Sequence, residues 1–435
     1  MRKVLRQTYS VCPICLQRIP AEHIAYGREV HLEKKCPQHG DFSSVIWRGF
    51  RDSELWRGDL PVIAAGENEN CPHACGLCPE HKQGTCCVLL EVTKRCNLHC
   101  SFCFAEAGTG EDIPFETVRK RLFALAVPGK TLVQLSGGEP TVRDDLPQII
   151  NAAKEAGCQY VQLNTNGIRL ADDEEFVRKL AEAGLSFVFM QFDGTSDDIY
   201  RKLRNQDLFG IKQKAIENCA RYNLGVTLVP TIVPQVNTQN IGAIIRFAVS
   251  RAPAVRGVHF QPVSYFGRIP TMPSDSQRFT LDELIEAIEE QAGNLVLRDS
   301  LQPSRCDHPM CGFHGDYIVM HDQTLHPLHK VTTGCCETTT ADQNREFVAR
   351  KWQRPKIEET SAETVSKLEN PCTEDNIETL DGFLRRVRSH SFTLTAMAFQ
   401  DAGNIDLERL RRCSLHVFDD GRFIPFCAYY LTKQG

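Results

Sequence analysis

From residue 88 to residue 260 the chain alternates between short apolar runs and longer segments whose apolar residues recur every three or four positions. The runs 88–93, 131–135, 160–164, 187–191, 226–233 and 257–260 predict six β-strands, and 115–127, 146–156, 173–183, 210–222 and 240–249 predict helices between them. Strands apolar on both faces, each followed by a helix, predict a parallel sheet, and right-handed crossovers curl such a sheet into a full or partial barrel. The fold class expected is therefore α/β, a partial (β/α)6 barrel. Chemistry should stand in the loops after the strands. Those loops hold Cys96, Gly137-Gly138-Glu139-Pro140, Asn164-Thr165-Asn166-Gly167 and Asp193-Gly194. Beyond the barrel, 281–291 predicts a helix and the charged stretch 358–367 a solvated helix face.

Composition changes this picture in one respect. The 435 residues are 42% hydrophobic and 24% charged, as in packed globular proteins, and the net charge of −5 argues against a general nucleic-acid binder. No apolar run reaches membrane-spanning length and no signal-peptide core follows Met1, so a cytoplasmic location is expected, with peripheral contact at the inner membrane face left open. The departure is cysteine: 20 in all, 11 of them between Cys12 and Cys103. Disulfide frameworks belong to small secreted domains, so metal or iron–sulfur ligation is the leading explanation. The cysteine groups divide the chain into a metal-stapled module (1–50), a linker and thiol-rich segment (51–87), the barrel (88–265) and a cysteine-rich C-terminal region (266–435).

Cys96, Cys100 and Cys103 follow directly on the first predicted strand. Three thiolates at this spacing can hold three irons of a cubane cluster and leave the fourth open to a small ligand; zinc is the alternative. Cys71-x3-Cys75-x2-Cys78 repeats the spacing, with Cys86 or its neighbour Cys87 as a fourth ligand. Cys306, Cys311, Cys413 and Cys427 offer a second set, in which Cys335 or Cys336 could replace a member. Cys158 and Cys219 are expected to be ordinary buried thiols. Cys12-Pro13-Ile14-Cys15 and Cys36-Pro37-Gln38-His39-Gly40 form two knuckle-like turns that present Cys12, Cys15, Cys36 and His39 to one ion, zinc or mononuclear iron. Arg143 and Asp144 are expected either to pair with each other beside the cofactor or to start a helix.

The Cys96–Cys103 motif, followed by Phe104 and by Gly137-Gly138-Glu139-Pro140, resembles the signature of radical S-adenosylmethionine (SAM) enzymes. Cys71-Pro72-His73-Ala74-Cys75-Gly76-Leu77-Cys78 and the closing stretch from Arg412-Cys413 to Phe426-Cys427 are similar to the tetraether lipid synthases and the 7,8-dihydro-6-hydroxymethylpterin dimethyltransferases. The resemblance implies a [4Fe–4S] cluster on Cys96, Cys100 and Cys103 that generates a 5′-deoxyadenosyl radical from SAM. It also implies two auxiliary [4Fe–4S] clusters, a rubredoxin-like N-terminal site, and SAM contacts from the Gly137–Pro140 loop. Asn164, Thr165, Asn166 and Asp193 are the other candidates for holding SAM. The activity expected first is radical C–C coupling of lipid alkyl chains, with Phe (23 residues) as a source of apolar lining. The alternatives are C-methylation of a pterin-type heterocycle or peptide maturation. A low-potential ferredoxin or flavodoxin is the expected electron donor.

Overall fold

The computed structural model describes residues 2–58, 71–73, 75–269, 273–297, 299–304, 306–328, 340–355 and 379–433. Cys335, Cys336, Cys372 and the charged stretch 358–367 lie outside the described residues.

Four strands open the chain: β1 (Arg2–Val11), β2 (Arg18–Tyr26), β3 (Glu29–Cys36) and β4 (Gly40–Trp47), paired in order as an antiparallel meander. Alternation builds it, since Val30, Leu32, Lys34 and Cys36 of β3 are buried in turn. The meander docks firmly. Asp282, at the start of the helix Leu281–Ala292, accepts the backbone N–H groups of Arg48 (3.1 Å), Gly49 (2.8 Å) and Phe50 (3.0 Å). On its other flank, Asp406 takes hydrogen bonds from Thr8 (2.7 Å) and His23 (2.9 Å).

The second sheet contains the six expected strands: β5 (Cys87–Arg95), β7 (Leu132–Gly137), β8 (Tyr160–Thr165), β9 (Phe187–Gln191), β10 (Gly225–Val229) and β12 (Val255–Pro262), all parallel. β6 (Thr109–Asp112) folds back on β5, and β11 (Thr231–Ile232) pairs with β12. The sheet does not stop there. β16 (Ser391–Ala396) adds parallel to β12, and β17 (Leu415–Asp419) adds parallel to β5. Eight parallel strands result, edged by β18 (Arg422–Pro425) beside β17 and by β14 (Phe313–Val319), with β13 (Gln302–Pro303) and β15 (Leu325–Pro327), beside β16. The C-terminal region thus completes the barrel wall instead of standing apart from it.

One face of each strand packs on the helix layer: Val133, Leu135, Val161, Leu163, Val188, Met190, Val226, Leu228, Val258 and Phe260 share a core with helix residues such as Ile149, Val177 and Ile244. The opposite face is concave. Trp352, on the helix Ala341–Trp352, stacks edge-on to Phe189 of β9 (centroids 4.5 Å apart) and donates from Nε1 to Thr393 of β16 (3.1 Å). On a flat sheet these strands would lie ~14 Å apart, three spacings of ~4.8 Å. Gly225 admits this plug, because a Cβ there would stand 2.2 Å from the Trp352 carbonyl oxygen.

Candidate active site and metal centres

The loop Cys96–Ala107 hangs from the end of β5 and is clamped on two sides. Cys96 N–H donates to Gly108 O (2.9 Å), and Cys103 and Arg268 exchange backbone hydrogen bonds (3.0 and 2.9 Å). The Arg268 guanidinium donates to the carbonyls of Cys100 (3.2 Å) and Ala107 (2.5 Å). Leu98 is buried against Tyr200 and Leu208, which leaves Cys96, Cys100 and Cys103 half-buried at the barrel mouth. Burial pushes the Cys96 thiol up to about 12, and negative charge at Glu139, Cys100 and Cys103 adds to this; a coordinated iron would remove that proton outright. Phe104 packs edge-on against Tyr430 (4.9 Å) and Phe426 (5.3 Å) of the last helix, Phe426–Thr432.

The Gly137–Pro140 loop lies against this one. Gly138 N–H donates to Thr93 O and Glu139 N–H to Arg95 O, both at 2.8 Å. A Cβ on Gly138 would meet Arg95 O at 2.0 Å, and one on Gly137 (φ +114°) would meet Thr93 O at 2.3 Å, so the glycines are needed first for the approach of the loop to β5. Glu139 is buried. Its carboxylate accepts from Thr141 N–H (3.0 Å), Thr141 Oγ1 (2.6 Å), Thr165 Oγ1 (2.7 Å) and Asn166 N–H (2.6 Å), and so ties the end of β7 to the end of β8. Asn166 Nδ2 donates to Asn97 Oδ1 (2.7 Å) inside the cysteine loop. Asn164 Oδ1 accepts from Gln162 (2.7 Å). Glu139, Thr165 and Asn166 therefore converge on the cysteine loop with their side chains already engaged.

Asp193 is placed differently from the sequence expectation. It is fully buried, and Arg204 grips both its oxygens (2.7 and 2.9 Å). It therefore braces the mouth from within the wall. Arg143 pairs with Asp145 (2.6 Å), not Asp144, which is exposed and pairs with Arg169 (2.8 Å).

Among the described residues, one set of four brings its ligand atoms all within 4.8 Å of one another: Cys12, Cys15, Cys36 and His39. That is compact enough for one tetrahedral ion with metal–sulfur bonds of about 2.3 Å. His39 offers Nδ1, 3.5 Å from both Cys12 Sγ and Cys36 Sγ. Although burial opposes it, the backbone N–H groups of Cys15 and Ile14 hold the Cys12 thiol below its usual range, as a metal ligand requires. The Cys96, Cys100 and Cys103 sulfurs do not form so tight a set. Wider spacing around one loop suits the corners of a cubane better than a single ion, so these residues fit a [4Fe–4S] cluster. Cys36→Ser should remove one metal ion per chain, as measured by plasma mass spectrometry; unchanged metal content would refute the assignment.

The remaining thiols are regrouped by the structure. Cys71 and Cys75 are buried in one cluster, and the neighbouring Cys75 holds the Cys71 thiol below its usual range. Cys86 leaves them and stands with Cys87 and Cys306, whose hydrogen bonds hold its thiol well below the usual range. The cause is β17. Its pairing with β5 brings Ser414 O to Cys86 N–H (2.9 Å), and Ser414 N–H donates to Asp307 Oδ1 (2.7 Å), which draws the neighbouring Cys306 across. Cys311, Cys413 and Cys427 line a separate cavity together with Asp307 and Arg409. Arg409 donates to Cys311 Sγ from Nε (3.4 Å), and Gln400 N–H donates to Cys427 Sγ (3.3 Å). Asp307 was missed in the sequence, although a carboxylate between Cys306 and Cys311 was a visible signal. Cys158 and Cys219 are buried in the main core, as expected.

Comparison with known proteins agrees with this geometry. Residues 90–248 match the radical SAM superfamily model, and residues 4–48 match the HMPTM N-terminal zinc ribbon domain, in keeping with the rubredoxin-like metal knuckle expected for this module. The chain is 34% identical to 7,8-dihydro-6-hydroxymethylpterin dimethyltransferase of Methanocaldococcus jannaschii, over 98% of this chain and 93% of that protein. It is 32% identical to Fe-coproporphyrin III synthase of Methanosarcina barkeri, over 46% of this chain and 49% of that protein. Among solved structures, Streptococcus suis SuiB bound to S-adenosylmethionine matches 48% of this chain and 47% of its own, at 16% identity and a TM-score of 0.38. No helix of the described residues is long and apolar enough to cross a membrane. With its cysteine loop at the barrel mouth and a ribbon at its N-terminus, the chain belongs to the radical SAM superfamily, in the branch of the 7,8-dihydro-6-hydroxymethylpterin dimethyltransferase-like enzymes.

Proposed function

We propose that this enzyme C-methylates a pterin-type heterocycle. The observation that carries the proposal is the polarity of the concave face. Toward the strand ends, the half-exposed inward positions are Asn164, Gln191, His259, Gln261 and Thr395, while their outward neighbours Leu163, Met190 and Phe260 are buried. An alkyl chain needs an apolar wall, and desolvating amides and an imidazole against it would be costly. A heterocycle rich in donors and acceptors repays that desolvation with hydrogen bonds. The pterin dimethyltransferase relative supports the same choice, and nothing in these comparisons supports lipid coupling. Phe187 packs on Trp352, and Phe192 on Phe209 and Phe247, so these two fully buried rings serve the core and line no alkyl-chain site among the described residues.

When bound, a [4Fe–4S] cluster with SAM on its open iron supplies reductive cleavage of the sulfonium and hence radical chemistry at unreactive carbon. The protein's part is to hold and orient. Cys96, Cys100 and Cys103 would ligate three irons, and the Gly137–Pro140 loop and Asn166 frame the position for SAM. Auxiliary clusters rest on the regrouped thiols, with Cys311, Cys413 and Cys427 around the Asp307 cavity as the best-formed set. Anaerobic incubation with SAM as radical source, a one-carbon donor (a second equivalent of SAM, released as S-adenosylhomocysteine, or a reduced one-carbon carrier), a strong reductant and 7,8-dihydro-6-hydroxymethylpterin should yield 5′-deoxyadenosine together with a pterin heavier by one or two methylene units. Formation of 5′-deoxyadenosine with a polyisoprenoid lipid and none with the pterin would overturn the proposal.

A further inference from the structure

Among the described residues, two buried polar atoms on the concave face have no partner: Gln162 Oε1 on β8 and Thr227 Oγ1 on β10, both on residues with 0% exposure. An unpaired buried acceptor or hydroxyl costs about 1–3 kcal/mol, so such groups are retained where something bonds to them. Register places them on a common surface. Asn164 stands opposite Phe189, Phe189 opposite Thr227, and Thr227 opposite Gly257, with His259 two residues farther up the same face of β12. Gly257 lets β16 close against β12 beneath His259, since a Cβ there would meet Thr393 O at 2.4 Å and Thr393 Oγ1 at 2.5 Å.

His259 is the centre of this surface. Its Nδ1 meets Thr395 Oγ1 at 2.8 Å, its ring lies 5.5 Å from Phe189, and Trp352 closes the floor at 6.5 Å. Thr395 fixes the imidazole orientation. Burial lowers the His259 pKa to about 4, so the ring is neutral near pH 7 and, with Nδ1 engaged by Thr395, offers Nε2 to a ligand without charge.

We infer that His259, held by Thr395 and flanked by Phe189, Gln261 and Thr227, forms the binding surface for a planar heterocycle with an amide-like edge. The ring plane would lie against Phe189 while the edge bonds to His259 and Gln261, which are partly exposed on this face. This deepens the proposed function and rests on it for the choice of a pterin as probe. The surface faces the barrel axis below the cysteine loop, so it would present the ring to a cofactor held above.

The test measures binding directly, without turnover, on the metal-loaded enzyme with oxidised clusters. Fluorescence titration with 7,8-dihydro-6-hydroxymethylpterin should show the Kd rising at least ~10-fold in His259→Ala and in Gln261→Ala, a factor of ten per lost bond of ~1.4 kcal/mol. His259→Gln, which keeps a donor and an acceptor, should recover part of the affinity. In every variant the SAM-induced change in the reduced cluster's EPR spectrum should persist, which reports an intact fold. Unchanged Kd values in both alanine variants would overturn the inference even if methylated pterin forms. Conversely, tight pterin binding that depends on His259, with no methylated product, would uphold the surface and refute the proposed reaction.

Discussion

Replacing Cys96, Cys100 or Cys103 with Ala, one at a time, is expected to lower SAM cleavage by at least ~1,000-fold, or ~4 kcal/mol of activation free energy. The size follows from how the loop is held. Its thiols are fixed by backbone contacts to Gly108 and Arg268 and by the buried Leu98, so the loop position survives loss of one sulfur. What is lost is one corner ligand of a cluster whose open corner depends on the other three being filled. Iron should fall by about four per chain. The ribbon set at Cys12, Cys15, Cys36 and His39 should keep its ion, since it shares no residue with the loop. Iron and zinc counts together with 5′-deoxyadenosine formation check both halves. Retention of more than a tenth of the activity in all three variants would show that these cysteines do not carry the reaction.

The barrel's repeating part was legible because each of its strands is a continuous apolar run and each helix has its own apolar stripe. The strand 187–191 and the helices 115–125, 146–155 and 281–292 lie within a few residues of where spacing alone placed them. The two flanking parallel strands were not legible. Ser391–Ala396 and Leu415–Asp419 pair with β12 and β5, more than a hundred residues away, and nothing local in a six-residue or five-residue run announces such a partner. The same long-range pairing regrouped the thiols. Cys86 follows Cys78 closely in sequence, yet β17 sets it beside Cys306, and no spacing rule could have said so. Asp193 illustrates a further limit. Its place after a strand was read correctly, but whether a carboxylate faces a cofactor or an arginine depends on what the next helix carries, and here that helix carries Arg204.

That buried pair gives the second large effect. Asp193→Ala is expected to lower the unfolding free energy by about 3–5 kcal/mol, because it strands an unpaired guanidinium inside the wall. Arg204 and Asp193 have side-chain exposures of 8% and 0%, so solvent does not screen the loss. Burial alone works against a charged Arg204, and Asp193 is the main group that keeps it charged. A second cation lies close: Lys212 is fully buried, lowered by burial to about 7, and donates to Gln191 Oε1 (2.8 Å) and to Asn166 O. Without Asp193 both cations lose their shared counter-charge. The helix Asp197–Arg204 also anchors the cysteine loop, since Ser101 N–H donates to Leu203 O (3.4 Å) and Tyr200 packs on Leu98. A loosened helix should therefore weaken SAM binding as well as stability. Urea unfolding of Asp193→Ala, Arg204→Leu and the Asp193→Leu/Arg204→Leu double variant separates the causes. The double variant should recover most of the loss, because removing both charges leaves nothing unpaired. If the double variant is as unstable as Asp193→Ala, the carboxylate acts through the hydrogen bonds it accepts from Thr231 N–H (3.2 Å) and Gln191 Nε2, and not through charge.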